Sequence, residues 1–394
     1  MKKYTLISVM LLFTVPIGNA LAQKILSMEE VLDMAIKNSS YLHYYYLDLE
    51  KHQFINKGTL NLPDPLVSIK IFNKNTQAAS IRQYIDITSI YSAINKNLNG
   101  DLELSKNKYL IALQNFKKDI LEIYLKSQYL NELTKVLKLQ SDKLKQVVFN
   151  YSKTKTKNKL SAAHRLIIDS TLKDIYSEYL SKEIDFLSTV KIIKGIAGIN
   201  YGKIEIPALE AYEYPDMYIQ DNMADSNIEK IKYSQSLHNL KLEKLKLVPN
   251  VFLQWNHTIN GNPNGYLVNY FEVGLSVPIF FGKYNLSIKQ AKFDTKVAQE
   301  RLNILQQEKW KNLQIALSQI NSIETKLNHF DNNLLESANK IMIEVNNLDD
   351  FYDENLLHII DLINKAYTIR TDYLHTLYSY NKAVIQIKFI NNSL

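Results

Sequence analysis

The sequence predicts a mainly α-helical protein with a small β part, laid out as two copies of one plan. Three observations carry this. Apolar residues recur at seven-residue spacing over two very long tracts. Four short segments alternate apolar and polar residues. Gly (10) and Pro (8), the usual breakers, are few and clustered between those tracts.

Residues 1–22 read as a secretory signal, with Lys2 and Lys3 as the basic start, Thr5 to Pro16 as the apolar run and Ala20-Leu21-Ala22 as the cleavage site. The run is too short to span a bilayer as a helix, and no later segment is apolar for long enough. Any membrane-embedded part must then be a β-barrel. Removing the two lysines takes the formal charge from +7 to +5, spread over helices among acidic residues. Nucleic-acid binding would need a clustered basic stripe, so no nucleic-acid partner is expected. With no Cys, a disulfide framework is excluded.

The first repeat is predicted over 23–200. It opens on Ser27-Met28-Glu29-Glu30, a capping box in which the Ser and Glu satisfy free N–H groups at a helix start, and a helix is expected over 27–60. Leu62-Pro63-Asp64-Pro65 ends it and begins an extended segment. Strands follow at about 65–72, where Val67, Ile69 and Ile71 alternate with Ser68 and Lys70, and at about 81–89, where Ile81, Gln83, Ile85 and Ile87 alternate with Arg82, Tyr84, Asp86 and Thr88. A helical hairpin fills about 93–197. Its outgoing arm carries Tyr109, Phe116, Ile123, Leu130, Leu137 and Leu144 in heptad register. The polar break at Lys153-Thr154-Lys155-Thr156-Lys157-Asn158 turns the chain back.

A linker is predicted over 201–222, then a second repeat over 223–394. Ser226-Asn227-Ile228-Glu229 is read as its capping box, opening a helix over 226–247 that Val248-Pro249-Asn250 ends. Strands are expected at about 250–258 and 267–278, separated by the turn-forming Gly261-Asn262-Pro263-Asn264-Gly265. The hairpin at about 283–390 carries Leu313, Ile320, Leu327, Leu334, Ile341 and Leu348 in heptad register and breaks near Asp349-Asp350-Phe351-Tyr352-Asp353.

Four short strands with an exposed apolar face do not suit water. In a bilayer that face belongs outward, with the polar face lining a lumen. Four strands are too few to enclose a lumen, and open edges are not tolerated in hydrocarbon, so several chains must share one barrel. Three copies give twelve strands and twelve helical rods. Trp255, Tyr270, Phe271, Phe280 and Phe281 would suit an interfacial aromatic girdle.

Several segments resemble the TolC-type outer-membrane efflux proteins, and the resemblance runs across nearly the whole mature chain. Leu275-Ser276-Val277-Pro278-Ile279-Phe280-Phe281-Gly282-Lys283 resembles that family's strand-to-helix junction, centred on Val277, Pro278, Ile279, Phe280 and Gly282. Leu26 to Ala35 resembles its opening helix. Tyr352 to Ala366, with Ile360-Asp361-Leu362-Ile363, resembles its last helix turn. Leu62-Pro63-Asp64-Pro65 is similar to members serving metal-cation pumps.

The resemblance implies a homotrimer with a twelve-stranded barrel in outer-membrane lipid and a periplasmic α-barrel. That α-barrel's tip would dock on a periplasmic adaptor linked to an inner-membrane pump. It implies no cofactor and no enzymatic activity. The function implied is an exit duct for small molecules or metal cations. A duct for type I protein secretion is the alternative, and a periplasmic coiled-coil adaptor or stalk is the rival of another class. The resemblance puts Asp361 on the first of the family's constricting aspartate positions, with Asn364 on the second, and makes Tyr352 its tip tyrosine. Asn355 stands where a glycine is expected and Leu357 where an arginine is. At the tip, Lys153, Lys155 and Lys157 oppose Asp349, Asp350 and Asp353 in sign, a candidate latch, although exposed ion pairs contribute only about 0–1 kcal/mol each. No metal site is expected, since the eight His are dispersed.

Overall fold

The computed structural model describes residues 25–57, 64–73, 76–85, 90–153, 162–200, 203–214, 224–260, 269–277, 281–347 and 353–391. The signal segment, 86–89, the 261–268 turn and most of the two polar breaks lie outside them.

Strand β1 (Ile25–Leu26) leads into α1 (Met28–Asn38), whose capping box is as the sequence predicts. The Ser27 amide donates to Glu30 Oε2 at 3.1 Å, and the Glu30 amide donates to Ser27 Oγ at 3.3 Å. The helix expected over 27–60 is two helices. Ser39 adopts an extended conformation, and its hydroxyl accepts from the Leu42 amide at 3.2 Å, capping α2 (Ser40–Lys57). Strands β2 (Leu66–Asn73) and β3 (Thr76–Ile85) form an antiparallel pair. β3 begins five residues earlier than the period-two pattern suggested, because Ala78, Ala79 and Ser80 carry no alternation to read.

The 64-residue α3 (Ile90–Lys153) is about 95 Å long at 1.5 Å per residue. α4 (Ala162–Ala197) returns along its far part and ends on Gly198, whose φ of +67° is the left-handed conformation glycine takes cheaply.

The predicted linker is partly structured. β4 (Lys203–Ile204) pairs in parallel with β1, and residues 205–214, neither helix nor strand, cross the helices as a strap. In the second repeat α5 (Ala224–Leu245) starts two residues before Ser226, which is buried within the helix. The expected capping box is therefore not at a helix start, and Glu229 instead accepts from Lys232 Nζ at 2.5 Å. Strands β5 (Asn250–Asn260) and β6 (Asn269–Ser276) follow. α6 (Phe281–His329) then passes through one π-helical turn at Phe330–Leu334 into α7 (Leu335–Asn347). α8 (Asp353–Ile390) closes the chain.

The two halves merge rather than standing apart. The sheet order is β2-β3-β5-β6, antiparallel throughout, so the β3–β5 pair joins the repeats. The helices form a layer in the same lateral order. Near the sheet the sequence of neighbours is α2, α3, α5, α6; farther away it is α4, α3, α8 and then α6 or α7. The heptad residues lie at these seams: Leu130, Leu137, Leu144, Leu313, Ile320 and Leu327 are all buried. No helix among the described residues is long and apolar enough to cross a membrane.

Candidate functional site

Alternation along the strands gives the sheet two unlike faces, and their burial is the reverse of a water-soluble sheet. One face carries Val67, Ile69, Ile81, Leu253, Trp255, Phe271, Val273 and Leu275, all exposed; Phe271 is 80% and Val273 70% accessible. The other carries Ser80, Gln254 and Asn256, with Gln254 only 2% and Asn256 5% accessible. The middle of the polar face is therefore sheltered, while Lys70, Tyr270 and Glu272 toward its sides are exposed, and its central groups bond to one another. Ser68 and Ser80 share a 2.7 Å hydroxyl hydrogen bond, Arg82 Nε donates to Gln254 Oε1 at 2.7 Å, and Gln254 Nε2 donates to Asn256 Oδ1 at 2.6 Å.

The expected aromatic girdle is only partly placed. Trp255 and Phe271 pair across β5 and β6 on the apolar face, but midway along β5 rather than at its end. Tyr270 pairs with Asn256 on the opposite, polar face. Phe280 lies outside the described residues, and Phe281 is the first residue of α6.

The lateral edges are unpaired. One consists of β2, α2 and α4, the other of β6, α6 and α7. Large apolar side chains stand exposed on the edge helices: Tyr44 and Phe54 on α2, Ile184 and Leu187 on α4, Leu286, Phe293 and Trp310 on α6, Ile343 on α7. The interior helix α8 exposes none.

At the end remote from the sheet, Leu144, Val147, Tyr151, Ile168, Val345, Leu356, Ile359, Ile360 and Ile363 form a buried cluster. Asp361 points away from it and is exposed. It lies on a polar face of α8 that runs from His358 through Lys365, Thr368, Asp372 and His375, all exposed. Asn364 is engaged within the chain, its Oδ1 accepting from Gln140 Nε2 on α3 at 3.0 Å. Lys153 Nζ sits 4.2 Å over the Phe149 ring. Lys155, Lys157, Asp349, Asp350 and Tyr352 lie outside the described residues, and Asp353 opens α8. Ion pairs such as Lys173–Asp169 and Lys340–Glu336 lie four residues apart on single helices.

At the strand-to-helix junction Val277 is exposed, Pro278, Ile279 and Phe280 are outside the described residues, and Gly282 has open space where a Cβ would sit. Among the described residues no three His, Asp or Glu gather as metal ligands would.

The strap is what sequence reasoning missed. Asn381, fully buried on α8, accepts from the Tyr212 amide at 2.8 Å and donates to the Glu210 carbonyl at 2.7 Å, as a strand neighbour would. Tyr212 donates to Gln128 Oε1 at 2.9 Å, and Tyr124 donates to the Glu205 carbonyl at 2.7 Å. Burial pushes the Tyr124 phenol up to about 12. The short alternation Ile204-Glu205-Ile206 was the available signal.

No sequence-family model matches the chain, and no curated protein sequence matches it. Solved structures do. The CmeC outer-membrane channel of Campylobacter jejuni is similar at 13% identity, TM-score 0.74, over 93% of this chain and 85% of that one. The open-state MtrE outer-membrane channel of Neisseria gonorrhoeae gives 10% identity and TM-score 0.76 over 93% and 89%. The outer-membrane protein VceC of Vibrio cholerae gives 11% identity and TM-score 0.66 over 91% and 95%. The chain thus has the fold of the TolC-type outer-membrane channels, as its sequence resemblance implied.

Proposed function

We propose that the chain is one protomer of an outer-membrane exit duct, serving an efflux system that moves small molecules or metal cations from periplasm to exterior. The observation that carries this is the inverted sheet. An apolar face left open while Gln254 and Asn256 are sheltered is unfavourable in water and is what a lipid-facing wall around a wet lumen requires. At roughly 25 cal/mol per Å², the exposed face represents a large cost that lipid removes.

Closure follows from the edges. β2 cannot stay unpaired in hydrocarbon, and neither can β6. Joining the β2–α2–α4 edge of one copy to the β6–α6–α7 edge of the next repeats one heterologous contact around a ring. Three copies supply twelve strands and twelve rods, and the apolar side chains on the edge helices support that joint. A homotrimer in the outer membrane of a Gram-negative bacterium, reaching into the periplasm toward an adaptor and an inner-membrane pump, is the assembly this supports. The wall is structural, and no enzymatic role is assigned to it. A separate adaptor or stalk is disfavoured because the strands of both repeats join in a single sheet through β3 and β5.

Asp361 lies near the start of the polar stripe of α8, and on this reading three copies bring three carboxylates toward the axis, attracting cations. Asn364, bonded to Gln140, holds its helix against α3 beside them. The Lys153, Lys155, Lys157 and Asp349, Asp350, Asp353 segments, with Tyr352, remain the proposed latch, tested by whether charge reversal of the aspartates alters conductance.

The decisive experiment is purification of the mature chain from membranes, followed by gel mobility with and without heating and by planar-bilayer recording. A heat-modifiable trimer with discrete conductance is expected. A detergent-free soluble monomer refutes the duct.

A further inference from the structure

On the polar face of the sheet an aromatic row lies at the end nearest the helices. Tyr84, Phe252 and Gly274 are paired across β3, β5 and β6. Phe252 meets the Tyr84 ring edge-on, centroids 5.9 Å apart, and its tip occupies the space above Gly274, where a Cβ would come within 2.1 Å of it. The next row holds Arg82, whose guanidinium carbon lies 4.3 Å from the Phe252 ring centroid. Arg82 is held there by the Gln254 hydrogen bond, and Gln254 in turn by Asn256. Among the described residues no carboxylate pairs with Arg82. Glu272 shares its row two strands away, with about 10 Å between the two backbones.

A fixed guanidinium beside an aromatic face, partly open to a passage, presents two complementary recognition elements. Its N–H groups suit the oxygens of a carboxylate or sulfonate. The rings suit a flat aromatic body, which stacks or meets them edge-on. We propose that Arg82, Phe252 and Tyr84 form a weak docking step for small aromatic anions on the inner face of the barrel. The inference rests on the duct reading, which makes this face a lumen lined by three such steps. Weak, repeated sites of this kind let a solute enter without trapping it.

The probe is naphthalene-2-sulfonate, added to the extracellular side of single ducts in planar bilayers. The wild-type current is reduced in a saturable, concentration-dependent way, whereas 1-naphthylmethylammonium leaves it unchanged. Arg82→Gln raises the half-blocking concentration about tenfold, Phe252→Leu does so by a similar factor, and Arg82→Lys lies between. Lys70→Gln removes an exposed cation from the same face without touching the site, and the block persists within about twofold. Equal weakening by Lys70→Gln would mean diffuse charge rather than a site, and overturns the proposal. So does unaltered block in Phe252→Leu, the variant that decides the matter if Arg82→Gln fails to assemble. A wild-type duct that conducts but is never blocked refutes the site and leaves the duct standing. Absence of any conductance refutes both.

Discussion

Phe271 and Tyr270 are adjacent aromatic residues on β6 that face opposite sides of the sheet, and replacing each by Arg separates a bilayer wall from a wet one. Phe271 is 80% accessible in the protomer. For a protein in water, such a surface substitution changes stability by no more than about 0.5 kcal/mol. Facing lipid near mid-depth, an Arg costs about 2–4 kcal/mol. At about 1.4 kcal/mol per decade, that is roughly a 30- to 1000-fold loss in the folding equilibrium per protomer. Tyr270→Arg places the same side chain at the same depth on the lumen side, where about 0–0.5 kcal/mol is expected. The assay is refolding from urea into phospholipid vesicles, with the heat-modifiable oligomer quantified across the titration. Phe271→Arg shifts the midpoint strongly and Tyr270→Arg hardly at all. Equal, small shifts in both would refute the inverted-sheet reasoning.

Three further outcomes follow from the geometry. Asn381→Leu removes the partner of the part-buried Tyr212 amide and Glu210 carbonyl, at about 0.5–1.5 kcal/mol each, and is expected to lower the thermal midpoint and speed proteolysis within 203–214. Gly274→Ala forces the Phe252 ring aside and costs about 1–3 kcal/mol; Phe252→Leu relieves most of that, as a double-mutant cycle on vesicle-refolded protein would measure. Tyr124 has a folded-state pKa raised from 10.0 to about 12, so its contribution is fully present below pH 10 and is lost as pH climbs toward 12. Circular-dichroism melts between pH 9 and 12 are expected to fall more steeply for wild type than for Tyr124→Phe.

The long-range plan was legible because it rests on periodicity. Heptads such as Leu130-Leu137-Leu144 and alternation such as Val251-Leu253-Trp255 report which face is covered, whatever covers it. Local chemistry was legible where a motif stood alone, as at Ser27 and Glu30. It misled at Ser226, where Ala224 and Asp225 could continue the helix backward and nothing in the motif forbade it. Beyond the short alternation at 204–206 the strap was not legible, since its grip comes from side chains distant in sequence, Tyr124 and Gln128 upstream and Asn381 roughly 170 residues downstream, which carry no periodic signal. The π turn at Phe330–Leu334 has no local marker either; Phe330 there packs edge-on to Tyr373, centroids 6.1 Å apart, a contact made across helices. Of the candidate tip residues, Asp361 was readable as an exposed helix position, whereas the Gln140 partner of Asn364 depends on how α3 and α8 come together.

The Asn381 clamp sets an order on biogenesis. Residues 205–214 emerge mid-chain, yet the amide group that seats them arrives with the final helix, so the strap cannot reach its finished state until the C-terminal segment has been made. Between those two moments an unseated strap and an unpaired β3 edge are open to other chains. Truncation from the C-terminal end past Asn381 would accordingly loosen a segment in the middle of the chain.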